Sequence, residues 1–239
     1  MKTVINFARE VLGINLFPLQ ATALKGIASH QLSVLPCGRR GGKSLMTAIW
    51  AVYDATIRDL KIYQRAGEPR YILVVAGSLT QARALFRTIV DMFRVPLLAP
   101  LVLGEPTLDE IKLVNGVILR VVPCSERTTR GLPASTVIFE ELASYTDTSG
   151  HQSGEAVYRA LAPSVAQFKE DGRIIAVSSP RGQRGVFYRL YQRKDAYVLH
   201  CPTWELNPEI DRAFLEREKL ADPDLFAQEY EASFTAIGG

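Results

Sequence analysis

The sequence predicts an α/β fold with a mostly parallel sheet, and three observations carry that expectation. Short β-rich runs alternate with helical stretches along the chain. Three of those runs, YILVVAG (71–77), STVIFEE (135–141) and RIIAVSS (173–179), are rich in apolar residues, as strands buried on both faces are. And LSVLPC (32–37) passes through a glycine-rich turn straight into helical periodicity. At 239 residues, 47% hydrophobic and 22% charged, the chain suffices for one well-buried domain with at most a small appendage, and general disorder is excluded.

Taken in order, residues 4–12 and 20–29 read as short helices joined by a turn-like segment, Gly13–Pro18. The strand at 32–37 follows. Apolar residues at Leu45, Ala48, Ile49, Val52, Ala55 and Ile57 then mark a helix over 44–60. RAGEPR (65–70) is a loop, 71–77 a strand and 79–94 a helix. The stretch 107–123 alternates apolar and polar residues about Asn115-Gly116, which predicts a hairpin. A helix over 154–169 separates the strands 135–141 and 173–179, and AYVLHCP (196–202) is a further strand. Past 205 the strand signal stops, and 209–220 and 223–232 read as two short charged helices. The expected division is a core over 1–202 and a small helical lid or linker over 203–239.

Composition narrows the function classes. No apolar run approaches the roughly 20 residues of a membrane span, and MKTVINFARE lacks the apolar stretch of a signal peptide. Cys37, Cys124 and Cys201 lie far apart, which argues for a reducing compartment and against a zinc knuckle. His30, His151 and His200 show no metal-ligand spacing. The net charge of +3 is uneven: residues 1–204 carry 25 basic and 16 acidic groups (+9), and residues 205–239 carry 3 and 9 (−6). A basic body is compatible with a nucleic-acid partner, and equally with a solvated surface.

In a parallel α/β sheet, ligands bind at the carboxyl ends of the strands. Those ends fall at 37–44, 77–81, 140–141 and 178–182. Cys37-Gly38-Arg39-Arg40-Gly41-Gly42-Lys43-Ser44 lies between a strand and a helix and fits the phosphate-loop pattern, save that Cys37 stands at the first glycine position. Such a loop turns backbone N–H groups and a helix N-terminus onto an anion. Lys43 would reach the β- and γ-phosphates, and Ser44 would ligate Mg²⁺. The second element is Glu140-Glu141, ending an apolar strand. Buried carboxylates are costly unless they hold a metal or a partner. Glu140 is expected near the Mg²⁺, and Glu141 is expected to orient or deprotonate an attacking water. The third is Ser178-Ser179-Pro180-Arg181-Gly182, hydroxyls at a strand end that could relay nucleotide state or form an ordinary turn.

Together these residues resemble the N-terminal ATPase domain of the large terminase subunit, the DNA-packaging motor of tailed bacteriophages. The pieces occur in that family's order: Phe17-Pro18-Leu19-Gln20, the loop GRRGGKS, Ser78-Leu79-Thr80-Gln81-Ala82-Arg83, Thr129-Arg130-Gly131, the acidic pair, SSPRG with Phe187-Tyr188, and Gln228-Glu229-Tyr230 with Phe234. The resemblance implies a RecA-like P-loop NTPase that hydrolyses ATP with Mg²⁺ to drive double-stranded DNA into a procapsid in the host cytoplasm. It implies that Gln20 reads the adenine edge, and that Arg39 joins Lys43 and Ser44 on the phosphates. Cys37, Gly38, Arg40, Gly41, Gly42 and Ser178 would complete the nucleotide-binding set. Arg130 matches an arginine finger acting on a neighbouring subunit, with Arg39 and Arg127 as competitors. A homo-oligomeric ring on a portal, with a small terminase subunit, is the implied assembly. The sequence departs from the family at Glu140, where aspartate is usual. Large terminases also continue into a nuclease domain, and none is expected within these residues. A helicase-type DNA-dependent ATPase core and a nucleotide-binding scaffold with little turnover remain as alternatives. The basic stretch Arg181, Arg184, Arg189, Arg193 and Lys194 suits either DNA phosphates or a solvated helix face.

Overall fold

The computed structural model describes residues 3–124, 131–145 and 153–235. Among these residues, seven strands form a single sheet in the order β3-β4-β2-β5-β6-β1-β7. They are β1 Leu32–Pro36, β2 Arg70–Ala76, β3 Glu110–Lys112, β4 Val117–Pro123, β5 Ala134–Glu140, β6 Arg173–Ser178 and β7 Tyr197–Val198. All neighbours pair in parallel except β3, which runs antiparallel to β4. The antiparallel pair is the expected hairpin. Gly116 takes φ 82° at its turn, and Asn115 Oδ1 accepts the Val117 N–H.

The strands alternate strictly between two cores. Leu35, Ile72, Val74, Ile138, Ile175 and Val177 face α1 (Val4–Glu10), α2 (Pro18–Ser29), α3 (Lys43–Thr56) and α4 (Leu79–Phe93). Val34, Leu73, Val75, Val137, Phe139 and Ala176 face α5 (Gly154–Leu161) and α6 (Gly185–Tyr191). Helices on both faces explain why these strands read as continuous apolar runs. The expected α/β architecture is therefore the observed one. Among the described residues, no helix is long and apolar enough to cross a membrane.

Several boundaries differ from expectation for local reasons. The helix expected over 154–169 stops at Leu161, because Pro163 cannot donate in a helix interior, and 3-10 turns continue over Ala162–Asp171. The 44–60 helix ends at Thr56, and Arg58 turns instead to Asp54 and Asp171. The strand expected over 196–202 is regular only at Tyr197–Val198, with one further bridge between Cys37 and Cys201. Two short helices, α6 and α7 (Thr203–Leu206), carry no periodicity that marks them in the sequence. The charged helices α8 (Arg212–Ala221) and α9 (Pro223–Glu229) lie where expected, and N-cap bonds from Asp211 and Asp222 start them.

The amino ends of the strands are pinned by a buried polar network. Asp54 on α3 receives Arg70 at 2.8 Å and is bonded by Ser135 and Thr136 of β5. Burial opposes its ionisation, but Arg70 and Arg58 outweigh that and hold its pKa below the usual carboxylate value. This anchor fixes α3 at its far end. The near end, at the carboxyl side of the sheet, carries the site.

Candidate functional site

The loop from Cys37 to Ser44 leaves β1 and closes on the first turn of α3. Two of its residues take left-handed backbone, Arg40 (φ 62°) and Gly42 (φ 89°). Gly42 caps α3, so the helix N-terminus opens on the concave side of the loop. Lys43 is buried, with Nζ 3.4 Å from the Cys37 carbonyl and 3.0 Å from Ser179 Oγ. Its charge is met by Glu141 Oε1 at 2.6 Å. A side chain curled back over its own loop in this way places an ammonium where a bound phosphate chain would lie.

Alternation along β5 sends Ile138 and Glu140 toward α3. Glu140 is only 5% exposed, and its Oε1 accepts a hydrogen bond from Thr47. Burial pushes this carboxyl up to about 7; the Thr47 bond opposes the shift, the Glu141 charge adds to it and Lys43 opposes it. Glu141 leaves the strand with φ 57°, and its N–H bonds the Val177 carbonyl at 2.8 Å. Its second carboxylate oxygen accepts Ser178 Oγ and the Ser179 N–H, each at 3.2 Å. Three sequence-predicted elements thus converge: the loop lysine, the acidic pair and both serines of SSPRG.

The chain's last described segment frames the loop. The Gly38 N–H bonds the Cys201 carbonyl and the Arg39 N–H bonds the Glu229 carbonyl. Thr203 Oγ1 donates to the Arg39 carbonyl at 2.8 Å, and Asn207 to the Arg40 carbonyl at 3.1 Å. The Arg39 side chain pairs with Glu229 at 2.7 Å while remaining 57% exposed. Cys37 is sealed against Cys201, and burial raises its thiol pKa well above the ordinary value, the Cys201 bond adding to the effect. A thiol so placed fills the space beneath the loop.

The other expected residues are placed as follows. Gln20 is buried under the loop. Its Oε1 accepts the Phe17 N–H and its Nε2 donates to the Gly41 carbonyl, each at 3.1 Å, so its amide braces the loop. Ser44 is exposed on the first turn of α3. Arg127 and Arg130 lie outside the described residues, as does His151. In the basic stretch, Arg189 pairs with Glu155 and Arg193 with Asp195, while Arg181, Arg184 and Lys194 are exposed. Thr47, Thr203 and Asn207 join the site without any sequence signal. All three are ordinary polar residues whose contacts depend on how distant segments meet.

The residues suit a polyphosphate with a hard cation. The loop offers the N-terminal turn of α3 and the Lys43 ammonium. Ser44 and Glu140, the expected Mg²⁺ holders, border it with one hydroxyl and one carboxylate. Among the described residues, no group of three or more His, Cys, Asp or Glu could hold a metal ion.

The sequence model of a family described as "Uncharacterized protein MJ0330, N-terminal P-loop domain" matches residues 104–232, just over half of the chain. No curated protein matches. Among solved structures, the large terminase ATPase domain of Thermus phage P74-26 superimposes with a TM-score of 0.75 at 20% identity, covering 98% of this chain and 100% of that one. The large terminase of bacteriophage HK97 gives 0.75 at 17% identity, over 97% of this chain and 54% of that one. The large terminase of a thermophilic bacteriophage, solved in complex with ADP, gives 0.65 at 13% identity, over 92% and 54%. At these identities the likeness is one of fold, a P-loop NTPase sheet with its flanking helices.

Proposed function

This chain belongs to the family of the MJ0330 N-terminal P-loop domain, and we propose that it is an Mg²⁺-dependent ATPase that drives double-stranded DNA into a phage procapsid. The observation that supports hydrolysis most is the meeting of Lys43, Glu141 and Ser178–Ser179 within hydrogen-bond distance at the mouth of the loop. The observation that favours packaging is the likeness in fold to terminase ATPase domains over nearly the full chain.

In this reading the loop N–H groups from Arg40 to Ser44, with the side chains of Lys43 and Arg39, hold the phosphates. Ser44 and Glu140 would hold Mg²⁺, which would supply charge neutralisation on the phosphates. Lys43 then exchanges Glu141 for phosphate, and Glu141 is released to orient water. Water attacks the γ-phosphorus as the bond to the β,γ-bridging oxygen breaks, and Glu141 takes the proton of the water. Ser178 and Ser179, relieved of Glu141, report the change toward α6. Arg130 completes a neighbour's site in a ring, and Arg39 is released from Glu229 to face the nucleotide. Gln20 reads the base by giving up one of its two backbone bonds. Residues 203–239 act as the lid, a reading supported by the bonds of Thr203, Asn207 and Glu229 to the Arg39–Arg40 backbone. The portal, the small terminase subunit and a separate nuclease domain complete the proposed assembly.

The test is phosphate release with and without linear double-stranded DNA, using wild type, Glu141→Gln, and a mixture of Arg130→Ala with Glu141→Gln subunits. DNA stimulation and partial rescue in the mixture are the expected results. Hydrolysis indifferent to DNA would remove the packaging reading, and nucleotide binding without any turnover would favour a scaffold.

A further inference from the structure

Glu140 stands where the resemblance expects an aspartate, and its carboxylate is carried one methylene further from the strand. We propose that Thr47 is the residue that positions Glu140, and that this contact is what allows a glutamate to serve as the first acid of the pair. The proposal rests on the ATPase reading above and deepens it.

Thr47 lies three residues beyond Ser44, so both side chains share one face of α3. Its side chain is 1% exposed. The hydroxyl faces three acceptors: the Ser44 carbonyl at 3.2 Å, the Lys43 carbonyl at 3.4 Å and Glu140 Oε1, which is nearer than either. It carries one proton, and the carboxylate is the strongest of the three acceptors. Among the described residues, Thr47 supplies the side-chain hydrogen bond to Glu140. Lys43, the nearby cation, is committed to Glu141. A buried carboxylate without a donor is costly, so this hydroxyl decides where the side chain rests. The extra methylene is what reaches the second turn of α3. Ser44 thereby stays exposed to the loop instead of being consumed by the acid. Thr47 acts through Glu140, so it is a positioning residue.

The contact makes a specific prediction about coupling. A shorter acid at 140 stops short of Thr47, and Thr47 should then cease to matter. The experiment is a double-mutant cycle of Thr47→Val with Glu140→Asp, and Thr47→Ser as the rescue. In the Glu140 background, losing a hydrogen bond to a charged group predicts that Thr47→Val lowers kcat about tenfold and raises the half-saturating Mg²⁺ about tenfold. KM for ATP at saturating Mg²⁺ should be unchanged, and Thr47→Ser should restore both quantities to within about twofold. In the Glu140→Asp background, Thr47→Val should change either by less than about twofold. A purely structural role predicts the same loss in both backgrounds, and that result overturns the proposal, as does a Thr47→Val enzyme equal to wild type. If wild type hydrolyses no ATP, the ATPase reading fails, and the cycle is read from metal-free melting instead. There Thr47→Val should lower the midpoint by about 5 °C beside Glu140 and by about 1 °C beside Asp. Equal shifts in the two backgrounds refute the contact independently of activity.

Discussion

Of the three loop glycines, Gly38 is the most tightly enclosed by backbone, and replacing it with alanine perturbs the join between the loop and the segment that follows β7. The added Cβ would lie 2.6 Å from the Tyr230 carbonyl oxygen, 2.9 Å from the Thr203 nitrogen and nearer still to Thr203 Oγ1. Ordinary contact begins near 3.4 Å. Two of these neighbours are main chain and cannot rotate away. Relief therefore requires residues 37–41 and 203–230 to separate by most of an ångström. That separation strains the bonds from Gly38 N–H to Cys201, from Thr203 Oγ1 to Arg39 and from Arg39 N–H to Glu229. Overpacking costs about 1–3 kcal/mol and one weakened buried hydrogen bond about 1 kcal/mol more, for a total of about 2–4 kcal/mol. For a chain of this length the melting midpoint should fall by about 5–15 °C. The control is Gly41→Ala, whose Cβ meets the movable side chain of Leu206 at 2.6 Å and should cost less than half as much. Calorimetry on the three proteins reads the difference, with ATP affinity as a second measure. A Gly38→Ala midpoint within about 2 °C of wild type, or one no lower than that of Gly41→Ala, would refute the reasoning.

At the opposite end of the sheet, Asp54→Ala leaves Arg70 buried without its carboxylate. Removing one partner of such a pair costs about 3–5 kcal/mol, and urea unfolding should show it with little change in ATP affinity of the folded fraction. The raised Glu140 carboxyl gives stability a pH dependence. Its folded value is about 7 against an ordinary 4.5, so the folded state holds the proton longer than the unfolded one. Stability from this group is fully present below pH 4.5 and is lost as pH rises through 7, about 3 kcal/mol in all. Metal-free wild type should therefore lose more stability between pH 5 and pH 7.5 than Glu140→Gln does. Parallel profiles for the two proteins would remove that assignment.

The elements legible in the sequence are those written in contiguous residues. GGKS between an apolar run and a helical period marks the loop, and the Glu140-Glu141 ending marks the acidic strand, because each pattern sits on one element. The two-sided burial of β2, β5 and β6 is legible for the same reason. What stays hidden depends on which distant residues meet. Nothing local marks Thr47 as the donor to Glu140, since a threonine at that helical spacing is equally a core residue. The resemblance implies that Gln20 reads the adenine edge, and only the packing of α2 beneath Gly41 shows both ends of its amide engaged. The pairing of Arg39 with Glu229 at the end of α9 joins positions 190 residues apart. Pro163 is visible in the sequence, but helical periodicity around it masks its breaking effect within 154–169.

These features join in one claim: Glu141 pairs with Lys43 and works on water once phosphate displaces it. The most direct measurement is ATP affinity and single-turnover phosphate release for wild type and Glu141→Gln side by side. Neutralising Glu141 removes the competitor for Lys43, so ATP should bind at least as tightly as to wild type. Phosphate release should fall by about 100-fold or more, the scale of lost general-base catalysis. A Glu141→Gln protein that releases phosphate at the wild-type rate, or that binds ATP about tenfold more weakly, would contradict the account.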